Sequence, residues 1–207
     1  NGVVKGIDVD SAGRIIVVGD FNRFNDIKCQ NIIRLNSNGQ IDSTFDGGIG
    51  AVGIVNSVSV QRDDRIVIAG DFSLYNGIPV GGIARINLDG SLDKGFNDAL
   101  PSIALTDHIF SRVEVLENGK ILAAGSVLAT TEENGISKTY RGILRFNRDG
   151  SIDTGFQPAS SILLADPHYG PNGNIAAMSV QPDGYVLLGG DFTEFHSKTF
   201  NRIVRLA

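Results

Sequence analysis

One eight-residue stretch, Arg65-Ile66-Val67-Ile68-Ala69-Gly70-Asp71-Phe72, recurs along the chain and constrains its fold more than any other feature. It returns as Arg14-Ile15-Ile16-Val17-Val18-Gly19-Asp20-Phe21 and as Tyr185-Val186-Leu187-Leu188-Gly189-Gly190-Asp191-Phe192. A degraded copy reads Lys120-Ile121-Leu122-Ala123-Ala124-Gly125-Ser126-Val127. Each is a short continuous apolar run closed by glycine. Such a run is too short for an ordinary helix and suits a strand buried on both faces.

Two further markers follow the same rhythm. Arg-apolar-Asn occurs at Arg34-Leu35-Asn36, Arg85-Ile86-Asn87 and Arg145-Phe146-Asn147, and ends as Arg205-Leu206-Ala207. Apolar-Asp-x-x-Phe runs from Ile41-Asp42 to Phe45, Leu92-Asp93 to Phe96, and Ile152-Asp153 to Phe156. The second copy gives the unit: strand A over about Asn56 to Gln61, strand B over Arg65 to Phe72, strand C over about Gly82 to Asn87, and a short outer strand D over Ser91 to Phe96. Ser11-Ala12-Gly13 and Pro182-Asp183-Gly184 supply hairpin chemistry between A and B, and Asn38-Gly39, Asp89-Gly90 and Asp149-Gly150 between C and D. A unit of about 50–60 residues with three or four antiparallel strands is a propeller blade. The expected fold is therefore an all-β propeller of four repeats. One domain spans 1–207, with blades at about 1–53, 54–106, 107–172 and 173–207.

Composition fits this reading. The 26 glycines exceed the roughly 7% average and fall in turns. No apolar run approaches the roughly 20 residues of a membrane-spanning helix, so no membrane insertion is expected. A net charge of −5 without basic clusters argues against a nucleic-acid or anionic-membrane surface. A lone Cys29 rules out an internal disulfide framework and leaves the redox compartment open. The start at Asn1, without Met or a signal-type segment, reads as a piece of a larger protein.

The pattern from Val180 to Phe192, together with that from Arg145 to Phe156, resembles the delta-60 repeat, a β-propeller family of unknown function. The resemblance covers nearly the whole chain apart from insertions at about 127–140 and 157–173. It implies bacterial surface, secreted or phage-related proteins, and so an extracellular, cell-surface or virion-associated location. It implies no catalytic residues. The departures are Ser126-Val127 in place of Asp-Phe, and a strand D that is missing after Ala207. The last blade is then either incomplete or closed by the N-terminus, for which Asn1 to Val4 is the candidate strand. A compact four-bladed ring is the preferred arrangement. The alternatives are a cut from a longer propeller and blades completed by several chains.

Charged residues that recur once per blade are expected to brace the blade. Arg34, Arg85, Arg145 and Arg205 pair most simply with Asp42, Asp93 and Asp153 between strand C and the D turn. Asp20, Asp71 and Asp191 are expected to cap turns after strand B; a ring of them binding a cation is the lesser reading. Asp8-Val9-Asp10-Ser11-Ala12-Gly13 faintly resembles a calcium loop, but lacks the downstream bidentate acid and reads as an ordinary turn.

Antiparallel order puts the A–B and C–D turns on one rim, and the variable B–C and D–A connections on the other. Function on a repeated scaffold lives in such variable loops. The longest are in blades three and four, which makes that surface the candidate site, with Tyr140, Tyr169, His168, Asp166, Phe110 and Phe195 as ligand-binding residues. Aromatic rings beside polar groups suit sugar stacking or a protein contact, and packing onto the blade edges is the alternative. His108, His168 and His196 come from different loops without metal-ligand spacing, so no metal and no cofactor is expected. No catalytic constellation stands out. The functional expectation is a non-catalytic module that binds a glycan or a partner protein. A purely structural propeller in an oligomeric appendage is the second reading, and a glycan-cleaving enzyme the third.

Overall fold

Each repeat folds as an antiparallel sheet with the recurring apolar stretch as its middle strand. The computed structural model describes residues 1–100, 109–133, 136–156 and 170–206. Blade one holds β1 (Gly2–Val9), β2 (Ile15–Phe21), a short pair β3 (Arg23–Phe24) and β4 (Ile27–Lys28), and β5 (Ile32–Leu35), with sheet order β1-β2-β5. Blade two holds β6 (Ala51–Val60), β7 (Ile66–Tyr75), β8 (Ile78–Pro79) and β9 (Ile83–Ile86), followed by a short helix α1 (Lys94–Ala99). Blade three is a β10 (Ile109–Val115), β11 (Ile121–Glu133), β12 (Ile136–Phe146) sheet. Blade four holds β13 (Ile175–Val180), β14 (Val186–Gly190), the pair β15 (Glu194–Phe195) and β16 (Lys198–Thr199), and β17 (Ile203–Leu206).

The chain forms two compact units, Asn1–Ala99 with blades one and two, and Leu100–Ala207 with blades three and four. In the first, Ile16, Val18 and Ile32 of blade one meet Ile66, Ile68, Ala84 and Ile86 of blade two. In the second, Leu122, Ala124 and Ile143 meet Val186, Leu188, Val204 and Leu206. Successive residues of a strand point to opposite faces, so an unbroken apolar run supplies both. Ile66, Val67, Ile68 and Ala69 are accordingly all fully buried.

Strand A bulges at one position in every blade, where the register against strand B shifts between Val4 and Gly6, Val55 and Ser57, Phe110 and Arg112, and Ile175 and Ala177. The bulge presses the strand A backbone onto the glycine that closes strand B. A Cβ on Gly19, Gly70, Gly125 or Gly190 would collide with the carbonyl oxygen of Val3, Ile54, Ile109 or Asn174. Close approach explains these glycines, since their φ lies outside the left-handed region.

The marker residues form one network per blade. Arg34 Nε donates to Asp42 at 2.8 Å, Arg85 Nε to Asp93 at 2.8 Å and Arg145 Nε to Asp153 at 2.6 Å. The main chain closes the same loop, with the Asp42, Asp93 and Asp153 amides donating to the carbonyls of the paired arginines. Each guanidinium also lies over the phenylalanine three residues past its aspartate: Phe45, Phe96 and Phe156, at 4.8, 4.3 and 4.3 Å. Arg205 departs from this, donating to Gln181 and Asp183 and lying 3.6 Å over the Tyr185 ring.

Four expectations change. Strand D shrinks to single bridges, Leu35 to Ile41, Ile86 to Leu92 and Phe146 to Ile152. After Leu92 the chain turns helical over Lys94–Ala99 and buries Phe96 under Arg85. Strand A of blade two begins at Ala51, ahead of the expected Asn56. Gly2, Val3 and Val4 pair with Phe21, Asp20 and Gly19 of their own blade, so they supply strand A of blade one and not a strand of blade four. Asp20, Asp71 and Asp191 cap no turn: their side chains are exposed and hold no hydrogen bond among the described residues. In blades one and two strand B runs straight on through the aspartate, so alternation sends the following Phe21 and Phe72 inward and the carboxylate outward.

Candidate binding cleft on blades three and four

The cleft in the second unit is built by two connections. Gly170-Pro171-Asn172-Gly173 enters blade four, and the β15–β16 hairpin follows its middle strand. Gly142, with φ +78, leaves room for the Pro171 ring, and Gly170, with φ +105, passes tightly over the Arg141 backbone. Larger residues at either glycine would push the two connections apart.

Asn172 ties them together. Its Oδ1 accepts from the Thr193 and Glu194 amides at 2.9 and 3.0 Å, its Nδ2 donates to Thr193 Oγ1 at 3.1 Å, and its amide donates to the Glu194 carbonyl at 3.1 Å. His196 and Ser197 both take positive φ, 52° and 58°, which makes the hairpin turn type I′. The His196 amide closes the arrangement by donating to the Gly170 carbonyl at 3.0 Å. Below the turn, Phe195 stacks on His196 at 4.8 Å and meets Phe192 and Phe200 edge-on at 6.2 and 6.5 Å.

The result is a shallow cleft of about 10 Å³, lined by Arg141, Gly170, Pro171, Asn172, Glu194 and Ser197. With the Asn172 amide group engaged in holding the loops, the charged groups of the lining are the Arg141 guanidinium and the Glu194 carboxylate. That set can hydrogen-bond a hydroxyl-rich or zwitterionic ligand. Among the described residues of the lining, Glu194 is the one carboxylate.

The ligand-binding residues expected from sequence fare unevenly. Phe110, Tyr140 and Phe195 are buried, at 0%, 6% and 2% exposure, and leave no open ring face for a sugar. They pack because burying an aromatic ring on a blade edge is worth more than wetting it. Tyr169, His168 and Asp166, and also His108 and Asp107, lie outside the described residues. Arg141, Asn172 and Ser197 were not singled out in the sequence; the turn-rich run 170–173 was the one signal for Asn172. Cys29 is no activated thiol, since partial burial pushes its pKa up, against smaller opposing effects of the N-terminus and a Phe24 backbone contact. Asp10 of the calcium-like loop is buried and occupied by the Ala12 and Arg14 amides and by Arg14 Nε. Among the described residues, no three His, Cys, Asp or Glu side chains gather as a metal site, and no helix is long and apolar enough to cross a membrane.

No curated protein matches the chain. Among solved structures it is similar to the extracellular domain of a one-component system, BT4673, from B. thetaiotaomicron, at 16% identity and a TM-score of 0.42. That match covers 96% of this chain, which spans only 27% of that protein's. It is also similar to XC5397 from Xanthomonas campestris, described as a gluconolactonase, at 14% identity and a TM-score of 0.37, covering 92% of this chain and 70% of that one. The family described as "Domain of unknown function (DUF5122) beta-propeller" matches residues 13–45, 61–96, 116–156 and 181–207, most of the chain and all four repeats. The chain therefore belongs to the DUF5122 beta-propeller family.

Proposed function

We propose that the chain is a non-catalytic binding module of a surface, secreted or phage-tail-type protein, and that it recognises a glycan through the cleft on blades three and four. The observation that carries this reading is a shallow polar cleft on the variable-loop rim, its walls fixed by Asn172 and the Phe195 cluster and its charged groups being Arg141 and Glu194. Sites with fixed polar groups bind hydroxyl-rich ligands without first ordering a loop. Tyr169 adjoins Gly170 in sequence and belongs to the same proposal as the ring that would stack on a sugar.

A glycan-array screen of the purified chain tests the reading. Specific binding is expected, falling by about ten-fold or more in Glu194→Gln, Arg141→Ala and Tyr169→Ala, each a loss of roughly 1.4 kcal/mol or greater. Binding unchanged in Glu194→Gln and Arg141→Ala would move the site elsewhere. A folded chain that binds no glycan but captures a protein through the same residues would replace the ligand class.

A further inference from the structure

Asn-Gly occurs six times in the chain, and five of the pairs lie among the described residues: Asn1-Gly2, Asn38-Gly39, Asn76-Gly77, Asn118-Gly119 and Asn172-Gly173. The dipeptide makes good turns, and it also holds two groups that can react with each other. The glycine nitrogen follows directly on the asparagine, within reach of its side-chain carbonyl carbon, and glycine has no Cβ to bar the approach. Attack closes a five-membered ring, so the asparagine side chain and the glycine amide must rotate together. What anchors each pair therefore decides which one reacts.

Four of the five are anchored by other parts of the fold. The Asn172 side chain bonds Thr193 and Glu194. Asn76 Oδ1 accepts from the Gly50 amide at 3.0 Å, and the Asn76 amide donates to the Gly50 carbonyl at 2.9 Å. The Asn118 carbonyl accepts from Arg148 Nε at 2.6 Å, and the Arg148 side chain lies against Gly119. Gly2 is paired with Phe21, where a Cβ would strike the Asp20 carbonyl. Asn38-Gly39 is different. Both residues are exposed, and nothing lies within 4 Å of a Cβ on Gly39. Among the described residues the Asn38 side chain bonds only Gln40, two positions along the same turn.

We propose that Asn38 is a modification site, at which the folded chain deamidates without an enzyme. The bond from the Gly39 amide to the Asn36 carbonyl, 2.9 Å long, opens at this exposed turn. The Gly39 nitrogen gives its proton to water and attacks Asn38 Cγ. A C–N bond forms, the bond from Cγ to Nδ2 breaks, and Nδ2 takes a proton from water and leaves as ammonia. The Gln40 amide donates to Asn38 Oδ1 at 3.0 Å, the oxygen on which negative charge gathers in that step. Water then opens the ring at either of its carbonyls, to give aspartate or isoaspartate. Aspartate fits this turn, as the neighbouring repeats show. Asp89-Gly90 and Asp149-Gly150 hold the same place, and Asp89 and Asp149 Oδ1 accept from the Ser91 and Ser151 amides at 2.9 and 3.0 Å. Isoaspartate adds a main-chain carbon inside the turn that the Asn36 amide closes onto the Gln40 carbonyl at 2.7 Å, and so cannot keep that register. With time, blade one acquires the turn chemistry that blades two and three encode, together with an isomer that does not fit.

Peptide mass mapping of the whole folded chain, incubated at mildly alkaline pH in water enriched in heavy oxygen, tests this. The Asn38 peptide should gain mass first, as aspartate and isoaspartate, at least about ten-fold faster than the peptides of Asn76, Asn118 and Asn172. In the urea-unfolded chain the four rates should converge, because the anchors and not the dipeptide set the order. Arg148→Ala alters an exposed side chain and frees the Asn118 turn, and should bring Asn118 close to the rate of Asn38. An anchored asparagine that converts as fast as Asn38 in the folded parent, an Asn38 that stays intact while the unfolded chain converts, or an Arg148→Ala chain in which Asn118 is no faster would each overturn the proposal.

Discussion

Arg34 shows how one side chain joins three repeat markers: it bonds Asp42, donates to Thr44 Oγ1 at 3.1 Å and covers the Phe45 ring. Its side chain and that of Asp42 are 1% and 6% exposed. Removing one member of such a buried pair strands the other without compensation. Arg34→Ala should therefore lower unfolding stability by about 3–5 kcal/mol. Arg205→Ala breaks a half-exposed pair with Asp183 and should cost no more than about 1 kcal/mol in the monomer. Urea denaturation of both variants checks the contrast, and equal losses would sink it. The arginine–aspartate spacing was legible because it repeats. The ring beneath the guanidinium was not, since Phe45, Phe96 and Phe156 read equally well as ordinary core positions. The same pairs set the acid limb of stability. Burial alone would raise the pKa of Asp42, Asp93 and Asp153, but bonds from Thr44 and Arg34, from Arg85 and Arg65, and from Lys120 and Arg145 outweigh it, and all three end below the usual value. A depressed carboxylate stabilises the fold above its unfolded pKa, and that contribution is lost as pH falls through the folded value. Melting temperature should thus drop as pH falls below about 4. Glu114, raised by burial, works with the opposite sign as pH climbs through its own titration. In Asp42→Asn the acid-side drop should be shallower than in the parent.

At the scale of elements, strands B and C were readable from unbroken apolar runs, and the A–B and C–D turns from Gly, Asn and Asp. The B–C connections read as variable loops, yet three of them hold a two-residue hairpin with positive φ at both turn residues: Asn25-Asp26, Asn76-Gly77 and His196-Ser197. The available signal was the aromatic just before each turn, Phe24, Tyr75 and Phe195. His196-Ser197 hid it best, since it lacks the Asn-Gly or Asp-Gly pair that usually marks such a turn. Replacing that pair with Asn-Gly should stabilise the hairpin by up to about 1 kcal/mol, the strain of a side chain in αL, measurable as a raised denaturation midpoint. The strand A bulge left no trace in sequence, because Lys5, Asn56, Ser111 and Ala176 at the bulge share no chemistry. Its counterpart did leave one, the invariant position of the closing glycine in all four copies. Gly70→Ala drives a methyl group into the Ile54 carbonyl and should cost about 1–3 kcal/mol or more. Gly39 supplies the control: nothing lies within 4 Å of a Cβ there, so only its left-handed φ of +83° is strained, for about 1–2 kcal/mol. If Gly39→Ala proved as damaging as Gly70→Ala, close approach would not be the reason for the repeated glycine.

For the molecule as a whole, the repeats gave the blades and the rim on which variation collects, but they could not give the cleft. Arg141, Asn172, Glu194 and Ser197 come from connections with no common period, and only the folded second unit brings them together. The same logic that makes the fold legible also governs its energetics. A blade has two apolar faces and buries neither alone, so stability resides as much between neighbours as within each sheet. Ile68 sits fully buried in the core that blades one and two share. Ile68→Ala should cost about 2–5 kcal/mol, and its effect should cross the blade boundary. Amides of β2, where Ile16 and Val18 face the same core, should lose hydrogen-exchange protection together with those of β7. Protection lost from β7 alone would mean that blade one holds its structure without its neighbour, and that the junction lines up blades that are already stable. Loss in both strands would make the junction, rather than the single blade, the smallest cooperative element of this fold.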